Sequence, residues 1–382
     1  MTRARILSPT PENIAACADE LRRGEIGGMP TETVYGLAGD GLNPLALTRV
    51  FDAKERPKFD PLILHVSPGL LRAGKYEKIQ ALENLGLVEA SAIPSEARQA
   101  IEKLMDTFWP GPLTLVLPKL ASVPDLATSG LPSVALRMPR HPVALALIDA
   151  TQRPLAAPSA NRFGRISPTR ARHVVEELGE RIGWVLDGGP CEIGVESTVV
   201  SYDPSGDFTL LRPGGLGAAE IEAILKVRLK TVNAPVIGPA GGPAGGPAAS
   251  PGLLESHYAP AKPLRLLSAP LSALTDEQLK KEFQLAEPAS DSRPWGFLAF
   301  AGDSQNISKR LSILAGRPVV VRTLSRDGSM MDAARSLFSE LRALDASSAE
   351  YLWAEPPSDA VSTGGIGYAI QDRLKRASAK RR

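Results

Sequence analysis

A tract rich in proline, glycine and alanine, from Ala234 to Pro251, divides the sequence into two parts. Such a segment has no apolar periodicity and cannot bury enough side chain to offset its ordering entropy, so it is predicted to be a linker. At 382 residues the chain has the length of two domains. We therefore expect one domain before the tract and one after it.

Strand-like and helix-like segments alternate on both sides of the tract, which predicts the α/β class. Thr10-Pro11 and Asn43-Pro44 each place a capping side chain before a proline, a pattern that begins helices. Several connections are too short for helical crossovers, so the first sheet is predicted to be mixed. The predicted strands are 62–66, 113–117, 134–138, 184–186, 198–202 and 208–211, then 264–267, 296–299, 319–321 and 351–354.

Charge and cysteine usage narrow the possible functions. The formal net charge is +2, which favours neither a nucleic-acid coat nor a membrane-surface protein. Cys17 and Cys191 offer no disulfide framework or zinc spacing and are interpreted as reduced thiols. The sequence contains no signal-peptide pattern and no apolar run of about 18 residues, so we expect a cytoplasmic protein.

Two polar clusters lie between apolar segments at 29–37 and 54–65. The first combines two threonine hydroxyls, a carboxylate and a phenol in one turn, which fits either a capped turn or a small-molecule site held by a sheet. In the second, Lys54, Arg56 and Lys58 stand where a helix ends. These cations either complement the helix C-terminus or bind an anion.

Arg137 lies in an otherwise apolar strand, on the same face as Ser133. Its burial is costly without an anionic partner, which is either a protein carboxylate or a ligand. Small residues and hydroxyls at 156–169 would let a ligand approach the backbone. Together the clusters predict a cationic, hydroxyl-rich pocket without naming its substrate. The sequence has no P-loop, kinase glycine-rich loop or nucleophile elbow.

Nine short strings, taken in order, resemble the threonylcarbamoyl-AMP synthase family, which is built on the YrdC-like domain. Each string alone is weakly specific, whereas nine in the family's order across about 200 residues are very specific. Two further strings, 250–260 and 364–374, resemble the two-domain members of that family. The nine strings are 30–37, 54–57, 61–65, 109–114, 137–139, 157–161, 167–169, 196–199 and 212–214.

The resemblance implies an architecture and a reaction. It implies a YrdC-like catalytic domain at 8–217 with a twisted mixed sheet, a linker at 218–260 that covers the active site, and a smaller Rossmann-like α/β domain at 261–380. Within the first domain the stretch 75–93 is longer than is typical of the family and is expected to be a surface elaboration. The implied activity is that of a nucleotidyltransferase that forms threonylcarbamoyl-AMP and pyrophosphate from L-threonine, bicarbonate and ATP. Mg²⁺ is expected on the ATP, with no protein ligands assigned to it. The implied partner is a complex that transfers the product to a tRNA adenosine beside the anticodon, and direct tRNA binding is left open.

The resemblance also implies roles for individual residues. Lys54 and Arg56 are expected to be catalytic, and Arg137 to pair with the amino-acid carboxylate. Asp60 stands where the family usually has Asn, and an ionised Asp repels phosphate, which favours ribose or a metal as its partner. The expected L-threonine contacts are Thr33, His65, Arg137, Ala157 and Ser197. The expected ATP contacts are Arg56, Asp60, Ser133, Ser159, Ser167, Arg212 and Tyr258.

Two other functions use a domain of this kind. A carbamoyl-transfer enzyme of the hydrogenase-maturation type would carry zinc-finger cysteines and an acylphosphatase segment, and the sequence has two cysteines and no such segment. An RNA-binding module without catalysis would be more basic than a net charge of +2 and would interleave aromatic with basic residues. The synthase is therefore the favoured interpretation.

Overall fold

The computed structural model describes residues 3–57, 59–203, 206–231, 257–284, 293–357 and 365–379. The chain divides into two compact units, Met1–Phe163 with Ser167–Glu255 and Gly164–Ile166 with Ser256–Arg382. Lys58, Gly364 and residues 232–256 of the expected linker lie outside the described residues. The expected bounds of the two domains and the linker stay a prediction.

The first unit is built on a mixed sheet, as the short connections predict. Its strands are β1 (Arg5–Leu7), β2 (Gly27–Met29), β3 (Gly36–Asp40), β4 (Ile63–His65), β5 (Leu113–Pro118), β6 (Ser133–Arg137), β7 (Leu155–Ala156), β8 (Trp184–Leu186), β9 (Thr198–Tyr202), β10 (Phe208–Arg212) and β11 (Lys230–Thr231). Among the described residues these form eleven strands in the order β1-β8-β2-β3-β7-β4-β6-β5-β9-β10-β11. At the centre β4 runs parallel to β6, whereas β5 is antiparallel to β6.

Two helices of the first unit, which begin at Pro11 and Pro44, start where the capping residues predict. Thr10 Oγ1 accepts from Asn13 N at 3.3 Å, and Asn43 Oδ1 accepts from Leu45 N at 3.0 Å. Among the described helices of the whole chain, none has the length and apolar character needed to span a bilayer. The helices are α1 (Pro11–Arg22), α2 (Pro44–Lys54), α3 (Pro68–Leu71), α4 (Lys78–Asn84), α5 (Ser95–Phe108), α6 (Asp125–Thr128), α7 (Pro142–Thr151), α8 (Ala171–Leu178) and α9 (Ala218–Leu225).

The prediction of a surface elaboration at 75–93 is wrong. This stretch contains α4, and Ile79, Leu82 and Leu87 within it are completely buried in the core of the first unit. Their spacing follows one face of a short helix and the turn after it, so the segment stabilises the unit by burying apolar surface.

The second unit contains a smaller parallel sheet, in agreement with the expected Rossmann-like α/β domain. Its strands are β12 (Leu264–Leu266), β13 (Trp295–Ala301), β14 (Val319–Ser325) and β15 (Tyr351–Ala354), in the order β12-β15-β13-β14. An aromatic cluster fills one face, where Phe283 packs edge-on against Trp295 and Trp353. Its helices are α10 (Asp276–Gln284), α11 (Ser304–Ala315), α12 (Met330–Asp345) and α13 (Ile366–Ser378).

Glu355, which follows β15, is expected to be a major stabilising residue of the second unit. Its carboxylate is buried and accepts from Leu271 N and Phe300 N, each at 2.6 Å. Glu355→Ala would leave the buried N–H of Leu271 and the partly buried N–H of Phe300 without an acceptor, at up to about 1–3 kcal/mol each. Asp276→Ala, which removes only an exposed ion pair with Arg310, is expected to change stability by less than about 1 kcal/mol. Hydrogen exchange of the β13 and β15 amides in urea measures the free energy of unfolding of the second unit in both variants. Equal losses of stability in the two variants would contradict this role of Glu355.

Candidate active site

The centre of the first sheet aligns several of the expected threonine contacts. His65 in β4 is paired in register with Arg137 in β6, and Arg137 is paired with Thr114 in β5. Because paired residues on adjacent strands project to the same face, these three side chains form one polar row. Ser197, just before β9, continues the row, since its Oγ lies 2.8 Å from Thr114 Oγ1. Thr114 belongs to this row although the sequence assigned it no role.

Arg137 is buried, and its charge is balanced inside the protein. Its Nη2 lies 2.6 Å from Glu32 Oε1, and its Nε donates to Gly111 O at 3.2 Å. Burial raises the pKa of Glu32, but the charge and hydrogen bond of Arg137 outweigh it and hold that pKa below its ordinary value. The partner in the structure is therefore a protein carboxylate, which was one of the two open alternatives. No described residue accepts a hydrogen bond from Arg137 Nη1, which leaves that nitrogen to a ligand.

His65 is a buried and neutral imidazole. Its Nδ1 lies 3.2 Å from Ile63 O, and burial together with the charge of Arg137 lowers its pKa to about 3. A ring that donates from Nδ1 offers Nε2 only as an acceptor. His65 can therefore orient a ligand group by a hydrogen bond, but it does not carry a positive charge near neutral pH.

The depressed pKa of His65 predicts an acid-sensitive fold. Since the unfolded ring titrates at its ordinary pKa, the unfolded state binds the extra proton as the pH falls below about 6.5, and stability is lost in that direction. Between about pH 7.5 and about pH 5 this contribution amounts to about 2 kcal/mol. His65→Gln should lose correspondingly less stability over the same range in urea unfolding. An identical pH dependence in the two proteins would contradict a neutral buried His65.

Thr33 is buried in the turn between β2 and β3. Thr31 Oγ1 organises this turn, because it lies 2.9 Å from Thr33 Oγ1 and accepts from Val34 N at 3.2 Å. Gly194 N donates to Thr33 O at 3.1 Å, which ties the turn to the segment before β9. The Thr33 hydroxyl is thereby held in a defined place within this turn.

Ala157 and Ser159 follow β7 and pass close to the same strands. Ala157 N donates to Ile63 O at 3.1 Å, which holds this segment beside β4. A Cβ atom on Gly36 in β3 would lie 2.9 Å from Ala157 Cβ, so the approach of the two chains requires glycine there. The small side chains therefore let these segments pack closely, and the expected approach of a ligand to their backbone stays a prediction.

Lys54 ends α2 and is 1% exposed. Its ammonium donates to the carbonyl oxygens of Ser159 and, at 2.6 Å, of Asn161. Burial, followed by repulsion from Arg56, lowers the pKa of Lys54 well below its ordinary value. Glu55 has φ 53°, and this left-handed turn leads the chain directly from Lys54 to Arg56.

Arg56 makes its described contacts with the turn that follows it. Its Nε donates to Asp60 O at 3.0 Å, its Nη2 donates to Pro61 O at 2.8 Å, and Nη2 lies 2.9 Å from Asp60 Oδ2. Burial raises the pKa of Asp60, while Arg56, Lys54 and Arg212 act in the opposite direction. Asp60 is therefore surrounded by the cations expected to bind ATP, and its own expected contact with ribose or a metal stays a prediction.

Arg212 ends β10 and is bound to the residue at the end of the polar row. Its Nη2 donates to Ser197 O at 3.0 Å and to Ser197 Oγ at 3.1 Å. A Cβ atom on Gly214 would lie 2.3 Å from the carbonyl carbon of Ser197, so only glycine permits this turn. Nearby, Ser167 Oγ donates to Glu196 Oε1 at 2.5 Å. The strings at 196–199 and 212–214 thus form one interlocked structure.

Ser133 lies apart from the polar row, at the opposite end of the strand that carries Arg137. It begins β6, four residues before Arg137, which places it roughly 13 Å away along the same face. The surface between them is apolar and is formed by the buried side chains of Ile63, Val116, Ala135, Val199 and Leu211. The structure therefore shows a face with a polar row at one end, an apolar centre and Ser133 at the other end.

Comparison with known proteins identifies the family. A family model described as telomere recombination, Sua5/YciO/YrdC, matches residues 19–214. A second, described as threonylcarbamoyl-AMP synthase C-terminal domain, matches residues 217–379. A threonylcarbamoyl-AMP synthase of Pyrococcus abyssi is 36% identical over 372 residues, which cover 96% of this chain and 94% of that protein. The chain belongs to the two-domain threonylcarbamoyl-AMP synthase family.

Other members of the threonylcarbamoyl-AMP synthase family agree along nearly the whole chain. The Bacillus subtilis synthase is 36% identical over 98% of this chain and 95% of its own length. A solved structure of P. abyssi Sua5 complexed with L-threonine has a TM-score of 0.77 at 34% identity, covering 99% of this chain and 97% of that one. The resemblance inferred from the nine strings is confirmed, and so is the α/β fold class.

Tyr258, the expected ATP contact near the end of the linker, is described within the second unit. It is 1% exposed, and its ring is stacked 5.5 Å from that of Phe338. The guanidinium of Arg373 lies 5.3 Å from the centre of the same ring. In the second unit Tyr258 thus anchors the chain by aromatic and cation–π contacts, and its expected place over the nucleotide stays a prediction.

Proposed function

We propose that this chain is an L-threonylcarbamoyladenylate synthase, which forms threonylcarbamoyl-AMP and pyrophosphate from L-threonine, bicarbonate and ATP. The observation that carries the proposal is the position of Ser197. Its hydroxyl contacts Thr114 of the polar row at 2.8 Å and Arg212 on the cationic side at 3.1 Å. An amino-acid site and a phosphate site that meet at one side chain suit a reaction in which a threonine derivative attacks ATP.

The polar row suits L-threonine. Arg137 offers its Nη1 to the substrate carboxylate, and the hydroxyl of Thr33 and the imidazole of His65 offer neutral hydrogen bonds. The threonine amine then attacks the carbon of bicarbonate, and a carbamate forms with loss of water. The amine must be unprotonated for this attack, and no strong base is required of the protein once the amine is neutral.

The cationic side suits the triphosphate. An oxygen of the carbamate attacks the α-phosphorus, a new P–O bond forms, and the bond to the leaving pyrophosphate breaks. Negative charge develops on the equatorial and leaving oxygens, where Arg56, Arg212 and the protonated form of Lys54 supply positive charge. The chemistry asks for positioning and charge stabilisation, so the lack of a nucleophile in the sequence motifs is no objection.

Mg²⁺ is proposed to accompany the ATP. In the part of the chain that the structure describes, no group of three or more His, Cys, Asp or Glu side chains could hold a metal. Mg²⁺ commonly keeps several waters and binds through substrate phosphates with one or two carboxylates. Two buried carboxylates are candidates, Asp60, which pairs with Arg56, and Glu196, which precedes the Ser197 that Arg212 binds. The ion supplies charge neutralisation of the phosphates.

The product defines the step that follows. Threonylcarbamoyl-AMP is a mixed anhydride that water hydrolyses, so we propose that it passes to a complex that transfers the threonylcarbamoyl group to a tRNA adenosine beside the anticodon. Because tRNA is the proposed final acceptor of the threonylcarbamoyl group, we propose a cytoplasmic location. The free thiols of Cys17 and Cys191 fit a reducing compartment of that kind.

Pyrophosphate release from ATP by the purified full-length protein tests the proposal. Release is expected only when L-threonine, bicarbonate and Mg²⁺ are all present, and omission of any one should reduce it to background. D-Threonine serves as a matched control substrate, since it has the same charge and composition. Release that persists without L-threonine would indicate a simple pyrophosphohydrolase and would overturn the proposal.

A further inference from the structure

We propose that Glu32 is a positioning residue that fixes the Arg137 guanidinium and thereby gives the site its preference for a free α-carboxylate. The inference rests on the proposed function, because it takes Arg137 as the residue that binds the carboxylate of L-threonine. Neither the sequence strings nor the resemblance assigned Glu32 a role.

Glu32 joins three separate parts of the first unit. Its Oε1 lies 2.6 Å from Arg137 Nη2, and its Oε2 accepts from Arg140 N at 3.0 Å. Its backbone carbonyl accepts from Ile193 N at 2.8 Å. The turn that carries Thr33, the end of β6 and the segment before β9 are therefore held together through one residue. Glu32 is 2% exposed, so water does not compete for these contacts.

The contacts of Glu32 fit a positioning role rather than a chemical one. Both carboxylate oxygens are already engaged, one by a guanidinium and the other by a backbone N–H. The pKa of Glu32 is held below its ordinary value by Arg137 despite burial, which makes the carboxylate a weak base. Glu32 therefore acts through Arg137 and has no proton to transfer.

The contacts of Arg137 show what Glu32 contributes. Gly111 O engages Nε at 3.2 Å and Glu32 engages Nη2, so the rigid, planar guanidinium is held at two of its nitrogens. Among the described residues no acceptor engages Nη1, and the direction of this nitrogen is set by the other two bonds. If the bond to Glu32 is lost, the Arg137 guanidinium can rotate. Binding of the substrate carboxylate must then order the guanidinium, and this loss of conformational entropy weakens the affinity.

Glu32→Gln and Glu32→Asp test the proposal in the full-length protein. Gln removes the charge and retains the length, whereas Asp retains the charge and is shorter by one methylene, so that it cannot reach Arg137 and Arg140 together. Glu192→Gln is the matched control, because Glu192 pairs with the exposed side chain of Arg140 at 2.8 Å and leaves the backbone contact untouched. Calorimetry measures the Kd of L-threonine and of L-threoninol, in which a hydroxymethyl group replaces the carboxylate.

The expected result is a selective loss. Glu32→Gln should weaken L-threonine binding by about 10- to 100-fold, the scale of one charge-assisted contact, and leave L-threoninol within about twofold. The ratio of L-threonine affinity to L-threoninol affinity should therefore fall by about the same factor. The KM for ATP should stay within about twofold of wild type, and kcat should change less than the KM for L-threonine. Glu32→Asp should lie between wild type and Glu32→Gln, and Glu192→Gln should match wild type.

Several results would overturn the proposal. An unchanged ratio of L-threonine to L-threoninol affinity in both Glu32 variants would show that Glu32 does not act through carboxylate recognition. Failure of both variants to fold, judged by thermal melting, would make Glu32 a purely structural residue. If the wild-type protein itself shows no threonine-dependent pyrophosphate release, the proposed function fails and this inference falls with it. Release by wild type with normal carboxylate preference in Glu32→Gln overturns the inference alone.

Discussion

Arg137→Ala is expected to raise the KM for L-threonine by about 10²- to 10³-fold, while the KM for ATP changes by less than about threefold. The variant removes the site cation that is in register with His65 and Thr114 and leaves Glu32 without its buried ion-pair partner. Truncating one partner of a buried, hydrogen-bonded charge pair in a complex commonly costs about 2–5 kcal/mol of binding free energy, and each 1.4 kcal/mol corresponds to a factor of ten. Steady-state kinetics of pyrophosphate release with varied L-threonine measure the effect.

Two further variants distinguish the loss of the Arg137 cation from the effect of the unpaired Glu32 carboxylate. Arg140→Ala removes a side chain that is about half exposed but keeps the N–H that donates to Glu32, so it should behave as wild type. The double variant Glu32→Gln/Arg137→Ala should recover part of the loss, because no buried carboxylate then remains to repel the substrate. If Arg137→Ala raised the KM for ATP as much as that for L-threonine, Arg137 would not be the carboxylate-binding residue.

Lys54→Met is expected to lower kcat by about 10²- to 10³-fold, as commonly follows loss of one preorganised charge at a reacting oxyanion. Met fills the space of the lysine stem, and the carbonyl oxygens of Ser159 and Asn161 lose the ammonium that they share. Lys78→Met is the matched control, since Lys78 is a largely buried lysine of the same unit that pairs with Asp106. Equal kcat values for Lys54→Met and wild type would contradict a catalytic role for Lys54.

The lowered pKa of Lys54 also predicts a pH dependence. A lysine carries its charge only below its pKa, so kcat/KM for ATP should fall as the pH rises through that lowered value. Lys54→Arg, whose guanidinium stays protonated, should lack this alkaline decline even if its absolute rate is lower. Parallel pH profiles for the two proteins would show that Lys54 does not determine the decline.

The fold could be predicted wherever local chemistry decides the local structure. Helix starts at Thr10 and Asn43 follow from capping side chains placed before a proline. By contrast, β3 contains two glycines and is buried along its whole length, so it has neither strand propensity nor alternation to reveal it. The amphipathic face of α4 was also missed, because it is only two turns long.

The candidate site shows a similar limit. A buried Arg137 predicts an anionic partner from desolvation alone, but the identity of that partner depends on tertiary structure. Glu32 is 105 residues away in the sequence and meets Arg137 only because the turn after β2 lies beside the end of β6. Thr114 joins the row through strand register in the same way. Asp60 pairs with Arg56 because the four-residue step between them forms a turn, and no apolar pattern in the sequence indicates that turn.

The claim that this protein builds threonylcarbamoyl-AMP from bicarbonate is tested most directly by following the bicarbonate carbon into the product. With [¹³C]bicarbonate, L-threonine and ATP, mass spectrometry of the adenylate product should show threonylcarbamoyl-AMP one mass unit heavier than the product from unlabelled bicarbonate. The label should disappear when L-threonine is replaced by D-threonine. An adenylate that contains threonine but no ¹³C would show that the substrate carboxylate attacks ATP directly, and it would contradict the synthase reaction proposed for this protein.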